Sequence, residues 1–522
     1  MLGPELKLLK SKKTKLIMVK KKYFEMIRPL YFFLFTVIAF QSCTTNTKQV
    51  LITGKIQDSS PSQFEYTVPE NGVNYFGFKE LVKPDSSGNF KISLQIENPC
   101  FVEFMKEFRG YGSLIVEPGM KYDVSINTSD KEHPFNVNCK NAEGQLLYNK
   151  LKYRSMAGGH FELEARYYIK SHNSDSIIKA IKSKKEAESD GFKKLLEKKV
   201  VSDHFFNLVK TDREYYYSGE TGSVAFINYL MQPRGMNYLN KQQYKKMWKD
   251  VFTEHSPSDS RLLTSPWFFY YIQNYLRYLE MIIDSTDTKT LTDYHNRGII
   301  HTHYIDYAKK HLNDADFEYY CAAYIYYEAA SHNYEKELVG IFEQFKKDFP
   351  KSRYTKYLES LIKEIIEFHK KAEVKPEGDY VFFPDYEKMN SLNESLKSFR
   401  GKQVFIDIWA TWCSPCKSEF KYTKELRALL ESRNISILYI SIDRESSKQQ
   451  WKEMISFYDL KGTHLLANEK LVKDLSDLFG SKGEIAIPWY MLVDKNGKII
   501  IKHAKFPSEM PALEKQLKDL NK

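Results

Sequence analysis

The segment QVFIDIWATWCSPCKSEF, residues 403–420, constrains the fold more than any other part of the chain. Its first half is a nearly continuous apolar run, which predicts a central strand buried on both faces. The residues after it, KSEFKYTKELRALLESR, have the spacing of an amphipathic helix. Two cysteines therefore lie at a strand-to-helix turn, where free amides and the helix dipole favour a thiolate over a thiol. Pro415 is compatible with the first helical turn, which lacks N–H acceptors anyway.

The same two cysteines could instead be half of a zinc site or an ordinary buried pair. A structural zinc site needs two further cysteine or histidine ligands, usually at a matching short spacing. The chain contains no second CxxC and no HxxxH. We therefore expect no metal here and interpret the pair as a redox dithiol.

The segment FIDIWATWCSPCKSEF resembles the TlpA/ResA branch of the thioredoxin superfamily, and the resemblance covers residues 376–522. Supporting landmarks follow in order: the strand ISILYISID, the helix WKEMISFYDL, the segment GTHLLANEKLVKDLSDLFG and the hairpin IAIPWYMLVDKNGKII. The resemblance implies an α/β thioredoxin fold and a thiol-disulfide oxidoreductase. It also implies that the Cys413–Cys416 disulfide is the redox centre and that no further cofactor is needed.

The roles of the cysteines follow from thiol chemistry. Cys413 is expected to be the attacking thiolate, exposed at the turn, and Cys416 to resolve the mixed disulfide. Asp407 matches the buried carboxylate of thioredoxins, which implies a proton relay to Cys416, although an aspartate hydrogen-bonded near a strand end is the alternative. Pro488 matches the family's cis-proline, which implies a cis Ile487–Pro488 bond that exposes a backbone edge to an extended substrate.

Four supporting residues surround this centre. Trp409 and Trp412 are expected to shield the dithiol and support its loop. Glu419 matches the acidic residue that follows the motif in the family, but a surface helical glutamate is an equal alternative. The dipeptide Ser414-Pro415 contains no histidine that would stabilise the thiolate strongly, which favours a reductase over an oxidase.

Two further regions precede the thioredoxin-like region. Residues 48–145 contain alternating strands such as FKISLQI and KYDVSIN with turns between them, which predicts a small antiparallel β domain. This domain resembles a domain of unknown function that often precedes thioredoxin modules in exported lipoproteins. Residues 146–372 have helical periodicity, and because no regular 34-residue period is present they predict a bundle or a degenerate tetratricopeptide-like array.

The cysteines outside the motif and the aromatic residues of the helical region have structural interpretations. The aromatic residues of 317–358 are expected to form core, with a peptide or glycan groove as the alternative. Cys321, within that stretch, is expected to be a buried, inert thiol. An oxidising compartment would permit a Cys100–Cys139 bridge, but two separately packed thiols are the default interpretation.

Residues 1–42 have the pattern of a lipoprotein signal peptide. A basic segment precedes the apolar run YFFLFTVIAF, which is too short to span a bilayer and fits a signal h-region. Ser42-Cys43 resembles a lipobox, so Cys43 is the predicted lipidation site of a periplasm-facing envelope protein. A plain membrane anchor or an uncleaved signal is the alternative.

The net charge of +11 does not indicate nucleic-acid binding, because +7 of it lies in residues 1–42. The remaining +4 is spread over 480 residues, which is an ordinary surface. The partners that the resemblance implies are exported proteins with disulfides, either apocytochromes or misoxidised proteins, and a membrane thiol electron donor. A thiol peroxidase and a ligand-binding scaffold with secondary redox activity remain alternative functions.

Overall fold

The computed structural model describes residues 48–519 apart from gaps at 58–62, 71–72, 107–108, 131, 133, 153, 155–159, 232–237, 373–379 and 481–484. Three regions follow one another along the described chain. Strands come first, helices follow, and a mixed α/β region ends the chain. The multidomain fold class predicted from the sequence is confirmed, with an N-terminal β region, a helical middle and a C-terminal thioredoxin-like region.

The N-terminal region contains two four-stranded sheets, in the orders β4-β1-β7-β8 and β3-β2-β5-β6. Its strands are β1 Lys48–Gln57, β2 Phe64–Glu70, β3 Val73–Val82, β4 Asn89–Ile96, β5 Cys100–Lys106, β6 Arg109–Val116, β7 Lys121–Asn127 and β8 Phe135–Asn138. Alternate residues of both sheets meet in one apolar core, as the alternating sequence pattern predicts. The cysteines Cys100 and Cys139 are free thiols that pack in or against this core.

One pairing differs from the expected antiparallel arrangement. β1 and β7 run parallel, with Leu51 opposite Lys121, whereas the other strand pairs of this region are antiparallel. Between these two strands the chain passes through the second sheet and returns, and such a crossover connection permits parallel neighbours. The alternation of apolar residues could not reveal this, because it is the same for both strand directions.

Eleven α-helices follow in the described residues. They are α1 Ala142–Asn149, α2 His160–Ala165, α3 Ser174–Glu197, α4 Asp203–Met231, α5 Lys241–Glu254, α6 Phe268–Tyr278, α7 Thr288–Asn296, α8 Ile300–His311, α9 Asp314–Ala330, α10 Glu337–Asp348 and α11 Thr355–Ala372. The aromatic residues of α9 are mostly core, as expected: Tyr319, Tyr320 and Tyr324 are buried. Cys321 beside them is also buried, and burial raises the pKa of its thiol well above the ordinary range.

The C-terminal region is a six-stranded sheet in the order β14-β13-β10-β11-β12-β9, with helices packed on it. The strands are β9 Tyr380–Phe382, β10 Gln403–Trp409, β11 Ile435–Ser441, β12 Gly462–Leu466, β13 Trp489–Val493 and β14 Ile499–Ile501. The helices are α12 Leu392–Leu396, α13 Ser414–Glu419, α14 Thr423–Glu431, α15 Lys448–Phe457, α16 Glu469–Phe479 and α17 Met510–Asp519. β10 is central, parallel to β11 and antiparallel to β13.

The apolar core of the helical region continues into the C-terminal region. The same cluster of buried side chains contains residues of α4 to α6 and α8 to α11 together with Trp409, Cys413, Cys416 and Trp451. The helical region is therefore packed against the part of the thioredoxin-like fold that carries the CxxC motif.

Side chains of α1 form hydrogen bonds with the backbone amides and carbonyls at the outer edge of β6. The buried Gln145 accepts a hydrogen bond from the Ile115 amide at 2.9 Å and donates one to the Ile115 carbonyl at 2.6 Å. One helical turn later, Asn149 makes the same two contacts with Ser113, at 2.9 and 2.7 Å. The two amide side chains thus take the place of a neighbouring strand.

This arrangement predicts the effect of replacing Gln145 with an apolar side chain of similar size. Gln145→Leu leaves a buried amide and a buried carbonyl of Ile115 without partners, at a cost of about 1–3 kcal/mol for each group. We expect a lower melting temperature and much faster hydrogen exchange at the Ile115 amide, measured by calorimetry and mass spectrometry. Gln95→Leu, at an exposed position of β4, is the matched control. Unchanged exchange at Ile115 would contradict the assignment.

Candidate active site

The dithiol lies where β10 ends and α13 begins. Cys413 and Cys416 form a disulfide with a Cα–Cα distance of 5.3 Å. Cys413 is the N-cap of α13, and its Sγ accepts a hydrogen bond from the Cys416 amide at 3.1 Å. Pro415 lies in the first helical turn, as its fixed φ and missing N–H allow. An amide aimed at Sγ stabilises a thiolate when the disulfide is reduced.

Two expectations about this turn need correction. Cys413 is only 3% exposed, because its sulfur is bonded to Cys416 and packs within the apolar core shared with the helical region. The helix after the motif is also not continuous: α13 ends at Glu419, a 3₁₀ turn spans Phe420–Tyr422, and α14 begins at Thr423. The amphipathic spacing fits a continuous helix and a helix interrupted by a 3₁₀ turn equally well, so the sequence did not predict the interruption.

The two tryptophans of the motif have different environments. Trp409 is fully buried and makes an edge-to-face contact with Phe420, with 5.2 Å between ring centroids. Both rings belong to the cluster that contains the cysteines. Trp412 is instead 59% exposed, so its ring faces solvent beside the dithiol and does not pack over it as expected. An exposed indole at this position can contact a bound polypeptide.

Asp407 is a buried carboxylic acid on the strand that leads to the dithiol. It is 2% exposed, and its Oδ1 has no hydrogen-bond partner among the described residues. In the sheet it lies opposite Tyr439 of β11 and Tyr490 of β13. Burial raises the pKa of the Asp407 carboxyl well above its ordinary range, and the Glu419 carboxylate raises it further. This environment does not match a simple aspartate hydrogen-bonded at a strand end.

Glu419 and Pro488 lie on the segments that border the centre. Glu419 is half-buried, and its carboxylate accepts a hydrogen bond from the Ser508 amide at 2.8 Å, which ties α13 to the 3₁₀ turn that precedes α17. The Ile487–Pro488 bond is cis, as the resemblance implied. Ile487 packs against the cluster that contains both cysteines and also against the apolar cluster of the β10 sheet.

A polar group that the sequence analysis did not identify supports the same turn. The buried carboxylate of Asp443 accepts hydrogen bonds from the Thr411 amide and hydroxyl, both at 2.8 Å. Lys417 donates to the Thr411 carbonyl at 2.6 Å. Asp443 follows β11 as Thr411 follows β10, and the ends of adjacent parallel strands meet at one edge of a sheet. The positions of Thr411 and Asp443, each just after one of two parallel strands, could therefore have indicated this contact from the sequence.

The described residues around the dithiol do not include the predicted lipidation site, a membrane-spanning helix or a metal centre. Cys43 and residues 1–42 lie outside the described residues. Within the described part of the chain, no helix has both the length and the apolar character to cross a bilayer. The same residues include no group of three or more histidine, cysteine or acidic side chains that could hold a metal ion.

Comparisons with known proteins match the C-terminal region that carries this site. The Redoxin family model matches residues 377–517. Thiol-disulfide oxidoreductase ResA of Bacillus thuringiensis subsp. konkukian (strain 97-27) and that of Bacillus cereus (strain ATCC 10987) are each 33% identical over 125 residues, which make up 24% of this chain and 67% of each relative. The solution structure of a thiol:disulfide interchange protein from Bacteroides sp. is 26% identical, with a TM-score of 0.20, and the match covers 24% of this chain and 76% of that one. The chain therefore belongs to the ResA-type thiol-disulfide oxidoreductases, and its C-terminal region is the oxidoreductase domain.

Proposed function

We propose that the protein is a membrane-anchored, periplasm-facing disulfide reductase that acts on exported proteins through Cys413 and Cys416. The observation that carries the proposal is the position of Cys413 Sγ, which accepts the Cys416 amide at the start of α13. The buried, proton-retaining Asp407 on the preceding strand supports it further. The lipid anchor and the direction of electron flow rest on the sequence, namely on Cys43 and on a Ser-Pro dipeptide without histidine.

The reaction starts from the reduced dithiol. The Cys413 thiolate attacks one sulfur of a substrate disulfide, a new S–S bond forms, and the second substrate sulfur leaves as a thiolate that takes a proton from water. The amide of Cys416 stabilises the attacking thiolate before this step. The exposed Trp412 and the backbone beside the cis-proline are the surfaces that an extended substrate would contact.

The second step releases the substrate. Asp407 rests protonated, so it first releases that proton to water; its carboxylate then takes the proton of the Cys416 thiol, and the resulting thiolate attacks Cys413 Sγ. The Cys413–Cys416 disulfide forms, and the first substrate sulfur leaves as a thiolate that takes a proton from water, so two electrons have passed to the substrate. A membrane thiol donor then returns two electrons to the dithiol. The substrates are either apocytochromes or misoxidised envelope proteins.

The peroxidase alternative has less support. A thiol peroxidase would need a free hydroxyl or amide donor beside the nucleophile to orient a peroxide. The Thr411 hydroxyl and amide instead both donate to Asp443. Reduction of insulin disulfides, assayed beside hydrogen peroxide consumption, separates the two functions, and we expect turnover only with insulin.

Substitution of each cysteine tests the assigned roles. Cys416→Ser should accumulate mixed disulfides with substrate proteins, because attack occurs and resolution cannot. Cys413→Ser should accumulate none. Adducts are read on non-reducing gels and identified by mass spectrometry. Adducts on Cys413→Ser but not on Cys416→Ser would reverse the assignment of nucleophile and resolving thiol.

The Asp407 carboxyl should affect both release and stability. When combined with Cys416→Ser, Asp407→Asn should leave the trapping of mixed disulfides intact. In the protein that keeps Cys416, Asp407→Asn should slow release of the mixed disulfide by about 100-fold, the lower range for a positioned proton-transfer group. Because the folded protein binds this proton more tightly than the unfolded chain does, stability falls as pH rises from about 3.9 towards the raised pKa.

Asp407→Asn removes that loss of stability. Its melting temperature relative to the parent should therefore rise more at pH 8 than at pH 4, measured by calorimetry. Asp477→Asn, which removes an exposed carboxylate of α16, is the matched control and should show little pH dependence. A gain of equal size at both pH values would contradict the proposed protonation of Asp407.

The anchor gives a separate prediction. Cys43 should be acylated after the leader is removed, because a small residue precedes it after a short apolar run. Mass spectrometry of the membrane-extracted protein should find a lipid-modified N-terminal Cys43, and Cys43→Ala should release the protein from membranes. An unmodified Cys43 or a retained leader would contradict the prediction.

A further inference from the structure

A turn of the helical region touches the helix that carries the dithiol. This turn, residues 331–335 between α9 and α10, is called the contact turn below. Lys417 donates a hydrogen bond to the Asn333 side-chain oxygen at 3.0 Å. Gln450 of α15 donates to the Asn333 backbone oxygen, also at 3.0 Å. Both the side chain and the backbone of Asn333 are therefore bound by the thioredoxin-like region.

The contact turn is held in an uncommon backbone conformation. His332 and Tyr334 have φ values of 54° and 60°, in the left-handed region that bulky residues rarely adopt. The Tyr334 ring stacks on Phe368 of α11 with 4.3 Å between ring centroids. The backbone carbonyl of Tyr334 accepts a hydrogen bond from His369 Nε2 at 2.8 Å. Such strain persists only where surrounding contacts determine the conformation, and it concentrates at functional sites.

The contact turn also joins the thioredoxin-like region through aromatic side chains. The Tyr334 hydroxyl is hydrogen-bonded to both Glu364 and Tyr458. Tyr458 in turn packs on Phe420 with 5.0 Å between centroids, and Phe420 contacts Trp409 at the end of β10. A continuous series of packed rings therefore leads from α11 to the base of the dithiol turn.

Lys417 is the polar link between the contact turn and the dithiol. It follows Cys416 directly and is only 3% exposed, although lysine is almost never buried unless it is paired. Its ammonium donates to the Thr411 carbonyl, two residues before Cys413, and to Asn333. These bonds connect the two ends of the turn that holds the cysteines. Because Asn333 is neutral, it holds the ammonium without cancelling its charge.

Two carboxylates face the Lys417 ammonium, from different elements. Glu335 belongs to the contact turn and Asp443 follows β11, and both oppose the deprotonation of Lys417. Burial outweighs them and lowers the pKa of Lys417 to about 8. Near neutral pH the ammonium is still the predominant form, so a positive charge is kept at the Thr411 carbonyl, two residues before Cys413.

We propose that Asn333 of the helical region positions the Lys417 ammonium, and that Lys417 favours the Cys413 thiolate and so makes the dithiol more oxidising. The helical region is then part of the redox centre and not only a spacer. This inference rests on the proposed role of Cys413 as the nucleophile. The physical basis is that a cation beside a cysteine stabilises its thiolate, and a stabilised thiolate favours the reduced form over the disulfide.

The test uses the full chain with Lys417→Met and Asn333→Ala. The equilibrium between dithiol and disulfide is measured in glutathione buffers, and the rate of Cys413 alkylation by iodoacetamide is measured from pH 4 to 10. We expect Lys417→Met to shift the equilibrium towards the disulfide by about tenfold and Asn333→Ala by about threefold. In both variants the midpoint of the alkylation profile should move to higher pH.

Matched controls remove the same groups at exposed positions. Lys421→Met removes a lysine four residues further along the same segment, and Asn296→Ala removes an asparagine at the end of α7. Neither should move the equilibrium or the midpoint. A purely structural contact would lower the melting temperature of Asn333→Ala without changing either redox readout.

An unchanged equilibrium and midpoint in folded Asn333→Ala would overturn the proposal, even if Lys417→Met fails to fold. A shift towards the dithiol in either variant would overturn it as well. Both readouts use glutathione and iodoacetamide and need no protein substrate. Absence of trapped adducts in both cysteine variants would therefore count against the proposed reductase function alone, so the two failures are distinguishable.

Discussion

The burial of both faces of β10 is the constraint on which the thioredoxin-like region depends. Val404, Ile406 and Ile408 pack in one apolar cluster, while Phe405 packs in another on the opposite face of the sheet. A strand that meets water on neither face needs helices on both sides. The end of this strand then has a fixed position, and the cysteines, Thr411 and the carboxylate after β11 all meet there. The direction in which β10 runs therefore determines at which edge of the sheet these groups meet.

Lys417 and Asp407 are both buried beside that strand end, but their hydrogen bonding differs. The Lys417 ammonium has two hydrogen-bond acceptors, one from its own turn and one from the helical region. Asp407 has an oxygen without a partner among the described residues, and burial keeps its proton bound. The paired Lys417 keeps its positive charge as the predominant form near neutral pH, whereas an acid with an unpaired oxygen can exchange a proton. The first suits the positioning of a thiolate and the second suits proton transfer.

The sequence was sufficient for features that depend on local pattern. The apolar run of β10, the helix start at Cys413 and the alternation of β4 and β7 each depend on neighbouring residues, and each was predicted. The cis Ile487–Pro488 bond came from the family resemblance. Asn333 could not be found in this way, because it lies 84 residues before Lys417 and nothing in its own turn indicates a redox role. The burial of Cys413 was also missed, since it depends on packing between two regions.

The side-chain amides of Gln145 and Asn149 have a consequence for the N-terminal sheets. β6 is an edge strand, and its outward amides and carbonyls would otherwise be a template for pairing with another chain. Because only three residues separate the end of β8 from the start of α1, the cover follows directly on the last strand of the sheets in sequence. The edge strand and the helix that covers it are therefore close in sequence, and the cover does not depend on the later regions of the chain. Protection against intermolecular β-sheet growth is therefore built into the first helix of the described residues.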